Sequence, residues 1–113
     1  MTNTIPNPKK WEVWLAYLRF KGFENVGKVR PILIWEKVND SVFHVFKITS
    51  KDISDKYPIV AIQRDSGLKL VKNSYVQLEP IFDLPISDFK PVCLGVLNKE
   101  NRMAVNQALE LLC

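Results

Sequence analysis

The sequence predicts a small α+β domain, a mainly antiparallel barrel or sandwich of short strands followed by one helix. Short aromatic and β-branched segments recur along the chain between polar turn segments, which is typical of antiparallel strands. The C-terminal segment instead has apolar residues at helical spacing. The chain has 113 residues, 47% of them hydrophobic, which suits one compact domain with a substantial core.

The first third predicts two strands. Residues 1–10 contain prolines and asparagines and predict a short flexible lead-in, so the single domain is assigned to residues 11–113. The segment WEVWLAYLRF (11–20) predicts the first strand, although its length would also permit a helix. Residues 21–29 hold two glycines and several charges and predict a loop. Residues 31–37 predict the second strand, which begins at a proline because proline lacks a backbone N–H.

The remaining elements follow from turn signals and periodicity. A turn at Asn39–Ser41 should join the second strand to a third at Val42–Thr49. Further strands are predicted at 59–62 and 74–78, with irregular chain at 50–57, a turn at 64–67 and a proline-punctuated segment at 79–91. Residues 92–97 predict a last strand or a buried connector. Asn98 should cap a helix from Lys99 to about Leu112, whose core face is formed by Val105, Ala108, Leu109 and Leu112.

Several protein classes are disfavoured by composition. No apolar run approaches the roughly 20 residues of a membrane span, and no apolar signal region precedes the domain, so we expect a cytoplasmic protein. Cys93 lies in an apolar run, so we expect its thiol to be buried, and Cys113 is the last residue. Two free thiols fit a reducing compartment. With one histidine and no Cys-x-x-Cys spacing, we expect no metal site and no cofactor.

The net charge of +4 is unevenly distributed. Residues 1–30 contain six basic and two acidic side chains, whereas the remainder contains ten of each. Such a basic segment attracts polyanions, of which nucleic acid is the commonest, but it is also typical of an ordinary solvated surface.

Familiar catalytic motifs are absent from the sequence. His44 lies within the strand VFHVF, where a lone histidine usually packs or forms hydrogen bonds rather than acting in catalysis. Asp52 and Asp55 suggest a cation ligand pair, but two carboxylates in a polar loop are usually solvated.

Arg30 and Thr49 form a more informative pair. In a hairpin, the start of one strand lies beside the end of the next, so both residues should lie at the same end of the second and third strands. A guanidinium with hydroxyl groups suits phosphate oxygens, although an arginine at a strand end is more often part of a surface ion pair.

The order of the segments WEVWLAYL, GKVRPILIW, FKITSK and GLK…SYVQLEPI, followed by a C-terminal helix, resembles the MazF/PemK toxins of type II toxin–antitoxin systems. The resemblance runs from about Trp11 to Leu112, and the order of the segments is more specific than any one of them. It implies an SH3-like antiparallel β-barrel of the CcdB/MazF/PemK kind with a C-terminal helix, usually as a homodimer.

The resemblance also implies an activity. Members of the family cut single-stranded RNA at short sequences without metal, leave a 2′,3′-cyclic phosphate, and are inhibited by a cognate antitoxin protein. The family's catalytic arginine falls on Arg30 and its threonine on Thr49. RNA contacts are expected from Ser50, from the segment Lys21–Lys28 with Phe20 or Phe23 stacking on a base, and from Glu79. Glu24 and Glu79 are the candidate proton acceptors.

One departure from the family pattern leaves alternatives open. Many members have an acid-Gln-x-Arg-Thr segment after the S-Y-V strand, whereas this chain has Pro80 and Phe82 in place of the glutamine and the arginine. Substrate preference could differ, cleavage could be weaker, or the chain could bind without cutting. The alternative function is therefore a non-catalytic SH3-like module that binds nucleic acid or protein.

Overall fold

The computed structural model of the chain describes residues 7–20, 23–62, 67–70 and 72–112. Within these ranges the strands are β1 (Glu12–Phe20), β2 (Phe23–Lys37), β3 (Val42–Thr49), β4 (Ile59–Ile62), β5 (Ser74–Pro85) and β6 (Phe89–Val96). A 3₁₀ turn (Ile86–Asp88) precedes β6, and the helix α1 (Lys99–Leu112) follows it. The described strands form one antiparallel sheet in the order β4-β5-β3-β2-β1-β6, which confirms the predicted α+β class with a C-terminal helix.

β2 is much longer than predicted, and the loop expected over residues 21–29 is a strand from residue 23 onward. The reason is continued pairing with β1, in which Leu18 lies opposite Lys28 and Arg19 opposite Gly27. A Cβ atom at Gly27 would lie 2.2 Å from the carbonyl oxygen of Leu18, so glycine permits the close approach of the two strands. The glycine that suggested a loop instead allows the hairpin to continue.

β5 also extends beyond its predicted end, through the proline-punctuated segment as far as Pro85. Its pairing with β3 is interrupted, because Lys47 lies opposite Gln77 whereas Val45 lies opposite Phe82. The extra residues between Gln77 and Phe82 form a bulge, which accommodates Pro80 within a paired strand.

The sheet is buried on both faces. One face carries the helix-side cluster, formed by Val13, Leu33, Phe46, Ile48, Ile62, Val76, Leu78, Leu97 and Val105. The other carries the second-face cluster, formed by Ala16, Leu18, Ile32, Ile34, Phe43, Val45, Leu84 and Phe89. Alternation along β2 sends Leu33 to the first cluster and its two neighbours to the second, which explains the continuous apolar run in this strand.

The helix packs as the sequence predicted, with one exception. Asn98 Oδ1 accepts a hydrogen bond from the backbone N–H of Asn101 at 3.0 Å, which confirms the predicted N-cap. Val105 is fully buried, and Ala108 and Leu109 pack against the helix-side cluster. Leu112 is 44% exposed, so its assignment to the core face was wrong; it is the last residue of α1.

The predicted hairpin of β2 and β3 is confirmed, and Asn39 Oδ1 accepts hydrogen bonds from the N–H groups of Ser41 at 2.8 Å and Val42 at 3.0 Å. The irregular segment 50–57 and β4 also agree with prediction, whereas residues 64–66 of the expected turn lie outside the described ranges.

The last strand predicted at residues 92–97 is present as β6, which begins earlier, at Phe89, and ends at Val96. It lies at the edge of the sheet. Glu12 pairs with Val96, so the first and last strands are neighbours. Cys93 is exposed on this edge strand, and the prediction of a buried thiol was therefore wrong; Cys113 lies outside the described ranges. The N–H of Lys69 donates to the carbonyl of Leu94 at 3.0 Å, which links the segment after β4 to β6.

In the described part of the chain, no helix is long and apolar enough to cross a membrane.

Candidate functional site

The β2–β3 ladder stops next to Arg30. Its last pair is Ile32 opposite Lys47, and the preceding residue of β2 is Pro31, which has no N–H to donate. Continuing the same register by two residues brings Arg30 opposite Thr49. The register of β2 and β3 therefore brings together the two residues that the sequence analysis paired, just beyond the last pair of the β2–β3 ladder, although Arg30 lies within β2 rather than at its start.

A pocket of about 170 Å³ lies at this end of the hairpin. Its apolar wall is formed by Val29, Pro31, Ile48 and Leu70, and its polar wall by Arg30, Lys72, Thr49, Ser50 and Ser74. The described lining thus combines two cations with three hydroxyl groups and includes no carboxylate. This combination favours an anion with several oxygen atoms, such as a phosphate.

The hydroxyl groups of the pocket are held by the local backbone. Thr49 is only 8% exposed, and its Oγ1 atom accepts a hydrogen bond from the N–H of Lys51 at 3.2 Å. A hydroxyl that accepts in this way keeps its own proton for donation to a ligand. Ser74 is 7% exposed and donates from Oγ to the carbonyl of Lys72 at 2.9 Å, whereas Ser50 is exposed.

Lys47 adds a third cation close to Arg30. Strand alternation and the pairing of Ile32 with Lys47 place Arg30, Lys47 and Thr49 on the face of the second-face cluster. Burial, and secondly the positive charge of Arg30, lower the pKa of the Lys47 ammonium from its ordinary value. Burial is thus the main cause of the lowered pKa of Lys47, which lies next to the pocket but outside its described lining.

The other predicted RNA-binding residues are not all brought into this pocket. Lys28 lies exposed on β2, two residues from Arg30 and on the same face, but outside the described lining. Glu79 is exposed on β5, also outside that lining, and its backbone carbonyl accepts from Gln77 Nε2 at 2.6 Å. Lys21 lies outside the described residues, and so do the side chains of Phe20, Phe23 and Glu24.

His44 lies away from the pocket. It is at the start of β3, five residues from Thr49, a separation of roughly 17 Å along an extended strand. Its Nδ1 atom lies 2.7 Å from Glu36 Oε1 and its Nε2 atom 2.8 Å from Asp83 Oδ1. These contacts agree with the interpretation of His44 as a hydrogen-bonding strand residue.

Asp52 and two of the N-terminal cations, Arg19 and Lys10, have partners outside the pocket. The hydrogen bonds from Ser54, first from its side chain and then from its backbone N–H, lower the pKa of the exposed Asp52. Among the described residues, no group of three or more His, Cys, Asp or Glu side chains is arranged to hold a metal ion. Arg19 forms an ion pair with Asp88, and Lys10 Nζ lies 4.1 Å from the Trp35 ring centre. Only part of the basic N-terminal segment therefore contributes to the pocket.

Sequence reasoning missed Lys47, Lys72 and Ser74. Lys47 could have been found from its spacing, because residues two apart in a strand share a face, and Thr49 was already a candidate. Lys72 and Ser74 reach the site because β5 pairs with β3, with Tyr75 opposite Thr49. That pairing skips β4 and has no local signal in the sequence.

Comparison with protein-family models and with curated proteins finds no match to the chain.

Proposed function

We propose that the chain is a toxin of the MazF/PemK kind that cuts single-stranded RNA in the cytoplasm without a metal ion. The observation that carries this proposal is the position of Arg30 and Thr49 on one pocket, whose described lining has one further cation, two further hydroxyl groups and no carboxylate. An ordinary surface ion pair does not account for this arrangement, because the cations around the pocket outnumber its acids.

The proposed chemistry is transfer of the phosphoryl group within the RNA. The ribose 2′-oxygen attacks the adjacent phosphorus, the bond to the 5′-oxygen breaks, and a 2′,3′-cyclic phosphate remains. Such a reaction needs positioning and charge stabilisation more than a protein nucleophile. Arg30 would stabilise the phosphorane, the Thr49 hydroxyl would donate to a non-bridging oxygen with help from Ser50, and Lys72 and Lys28 would contact neighbouring phosphates.

The fold is compatible with the proposed family. We infer an SH3-like barrel in which the segment after β4 closes against β6, and the hydrogen bond from Lys69 to Leu94 supports this closure. Phe82, which replaces the family's arginine, packs against the second-face cluster opposite Val45. An RNA contact made by that arginine would be absent here, so we expect a sequence preference unlike that of members which have it.

The decisive test is incubation of the purified chain with a varied pool of single-stranded RNAs in excess chelator. We expect cleavage that leaves 2′,3′-cyclic phosphate and 5′-hydroxyl ends. A matched RNA with a 2′-deoxy nucleotide at the cleaved position should bind but remain intact, because the attacking oxygen is missing. Binding of the pool without cleavage would instead support the non-catalytic module, which the replacement of two family residues by Pro80 and Phe82 favours.

Two partners belong to the same proposal. The resemblance to the family implies a homodimer, and a monomer by light scattering at micromolar concentration would contradict it. An acidic antitoxin with a disordered tail would fold over the basic pocket end and block RNA. Co-expression with the adjacent reading frame should give a complex and relieve toxicity. If no complex forms and toxicity is not relieved, the antitoxin proposal fails.

A further inference from the structure

Lys47 has a position that phosphate binding alone does not require. It lies between Ile32 on β2 and Gln77 on β5, in an inner strand of the sheet rather than at a free edge. It is two residues from Thr49 on the same strand face, a separation of roughly 7 Å. Arg30 is close enough for its charge to act on the ammonium group.

The proposed cleavage needs a group to take the 2′-hydroxyl proton, and the carboxylates suggested by the sequence do not supply one in the described site. Glu79 is exposed and outside the pocket lining. Lys47 is also outside that lining, but it is half-buried and lies beside Thr49 and Arg30 on the same face of the sheet. We propose that Lys47 is the proton acceptor for the 2′-hydroxyl, an inference that rests on the function proposed above.

The step balances without a further reactant. The uncharged Lys47 amine takes the 2′-hydroxyl proton and becomes an ammonium group as the 2′-oxygen bonds to phosphorus. The bond from phosphorus to the 5′-oxygen breaks, and that oxygen takes a proton from water, while the ammonium later returns its proton to water. Arg30 and Thr49 keep their own protons and only donate hydrogen bonds.

The surroundings of Lys47 favour its uncharged form. Strand pairing places Arg30 on β2 and Tyr75 on β5 beside this part of β3, and Glu79 follows two residues after Gln77. Gln77 itself is neutral and buried. Burial and the Arg30 charge lower the lysine pKa, so a larger fraction of Lys47 is free amine near neutral pH than for a solvated lysine.

The test is Lys47→Arg, which keeps the positive charge but removes a titratable amine. We expect cleavage to fall by about 10²- to 10⁴-fold, the usual contribution of general acid–base catalysis. Binding of the 2′-deoxy RNA, measured by fluorescence anisotropy, should be retained. Lys90→Arg is the matched control, because Lys90 is exposed on the edge strand β6 and should not affect the rate.

The pH profile and chemical rescue separate this role from a structural one. The wild-type single-turnover rate should rise with pH and level off at the pKa of Lys47, whereas Lys47→Arg should show no such plateau. A small primary amine should partly restore Lys47→Ala, in proportion to its free-base concentration.

If Lys47→Arg keeps the wild-type rate and pH profile, the proton-acceptor role is wrong but the proposed function stands. If the wild-type protein cuts no RNA, the proposed function is wrong as well. If both variants unfold, NMR titration of Lys47 in the wild-type protein decides the matter. A pKa at or above the ordinary lysine value would then overturn the proton-acceptor role.

Discussion

His44 and Asp83 are cross-strand partners whose Nε2 and Oδ1 atoms lie 2.8 Å apart. The other ring nitrogen binds Glu36, the partner of His44 on β2, so one side chain joins three neighbouring strands. We expect His44→Ala to lower the free energy of unfolding by about 1 kcal/mol, the usual effect of losing partly solvated hydrogen bonds. The cleavage rate per folded molecule should be unchanged, since the pocket is at the other end of β3. Chemical denaturation with a cleavage assay checks both; a lost rate at unchanged stability would assign His44 to catalysis.

Arg30→Ala should abolish detectable cleavage or lower it by at least about 10²-fold, because a preorganised charge facing the phosphorane is lost. The fold should persist, since Arg30 lies at a pocket wall and outside both apolar clusters. Single-turnover cleavage and circular dichroism provide the measurements. Lys37→Ala is the matched control, because exposed Lys37 pairs with Asp40 at the hairpin turn. Undiminished cleavage by Arg30→Ala would place the reaction elsewhere on the protein.

Thr49→Val tests the hydroxyl while keeping the branched shape of the side chain. We expect a loss of roughly 10²-fold in cleavage, the typical effect of removing one preorganised donor. Thr49→Ser keeps the hydroxyl that accepts from the Lys51 N–H and should retain most of the rate. Equal rates in the valine and serine variants would show that Thr49 is a packing residue.

Asn98→Ala should lower the free energy of unfolding by about 1 kcal/mol, because the Asn101 N–H loses its capping oxygen. Asn98→Asp offers an equivalent oxygen and should retain the stability. Urea unfolding of the three proteins makes the comparison, and equal midpoints would mean that the cap does not stabilise α1.

Asp52 should contribute to stability in a pH-dependent manner. Hydrogen bonds from Ser54 lower the pKa of Asp52 in the folded chain. At a pH between the folded and the unfolded pKa values of Asp52, the unfolded chain therefore binds more protons than the folded chain. The stabilisation is therefore present above the ordinary aspartate pKa and is lost as the pH falls through the lower, folded value. Ser54→Ala should raise the Asp52 pKa towards its ordinary value in an NMR titration; an unchanged pKa would contradict this cause.

The sequence was sufficient where local chemistry decides the outcome. The bounds of β3, the turn at Asn39 and the cap at Asn98 all follow from residues that are neighbours in the chain. Prediction failed where distant pairing overrides local signals, as when β1 extends β2 through a glycine-containing segment. The burial error at Cys93 has the same origin, because an apolar run does not reveal that its strand will lie at the sheet edge.

For the site, the sequence indicated Arg30 and Thr49 because adjacent strands of a hairpin determine their meeting. Lys72 and Ser74 depend on β5 lying beside β3, and the partial burial of Lys47 depends on strands on both sides of it. These properties belong to the assembled sheet: the spacing to Thr49 could have indicated the face on which Lys47 lies, but not its partial burial.

The pairing of Glu12 with Val96 has a consequence for synthesis of the protein. β1 obtains its outer neighbour only after nearly the whole chain has been translated, and closing so long a loop is entropically costly. The pocket segments, which end at Ser74, leave the ribosome earlier than β6 and α1. We therefore expect the complete sheet to form only after β6 and α1 have left the ribosome, so the proposed RNA cleavage should begin only after the chain is released.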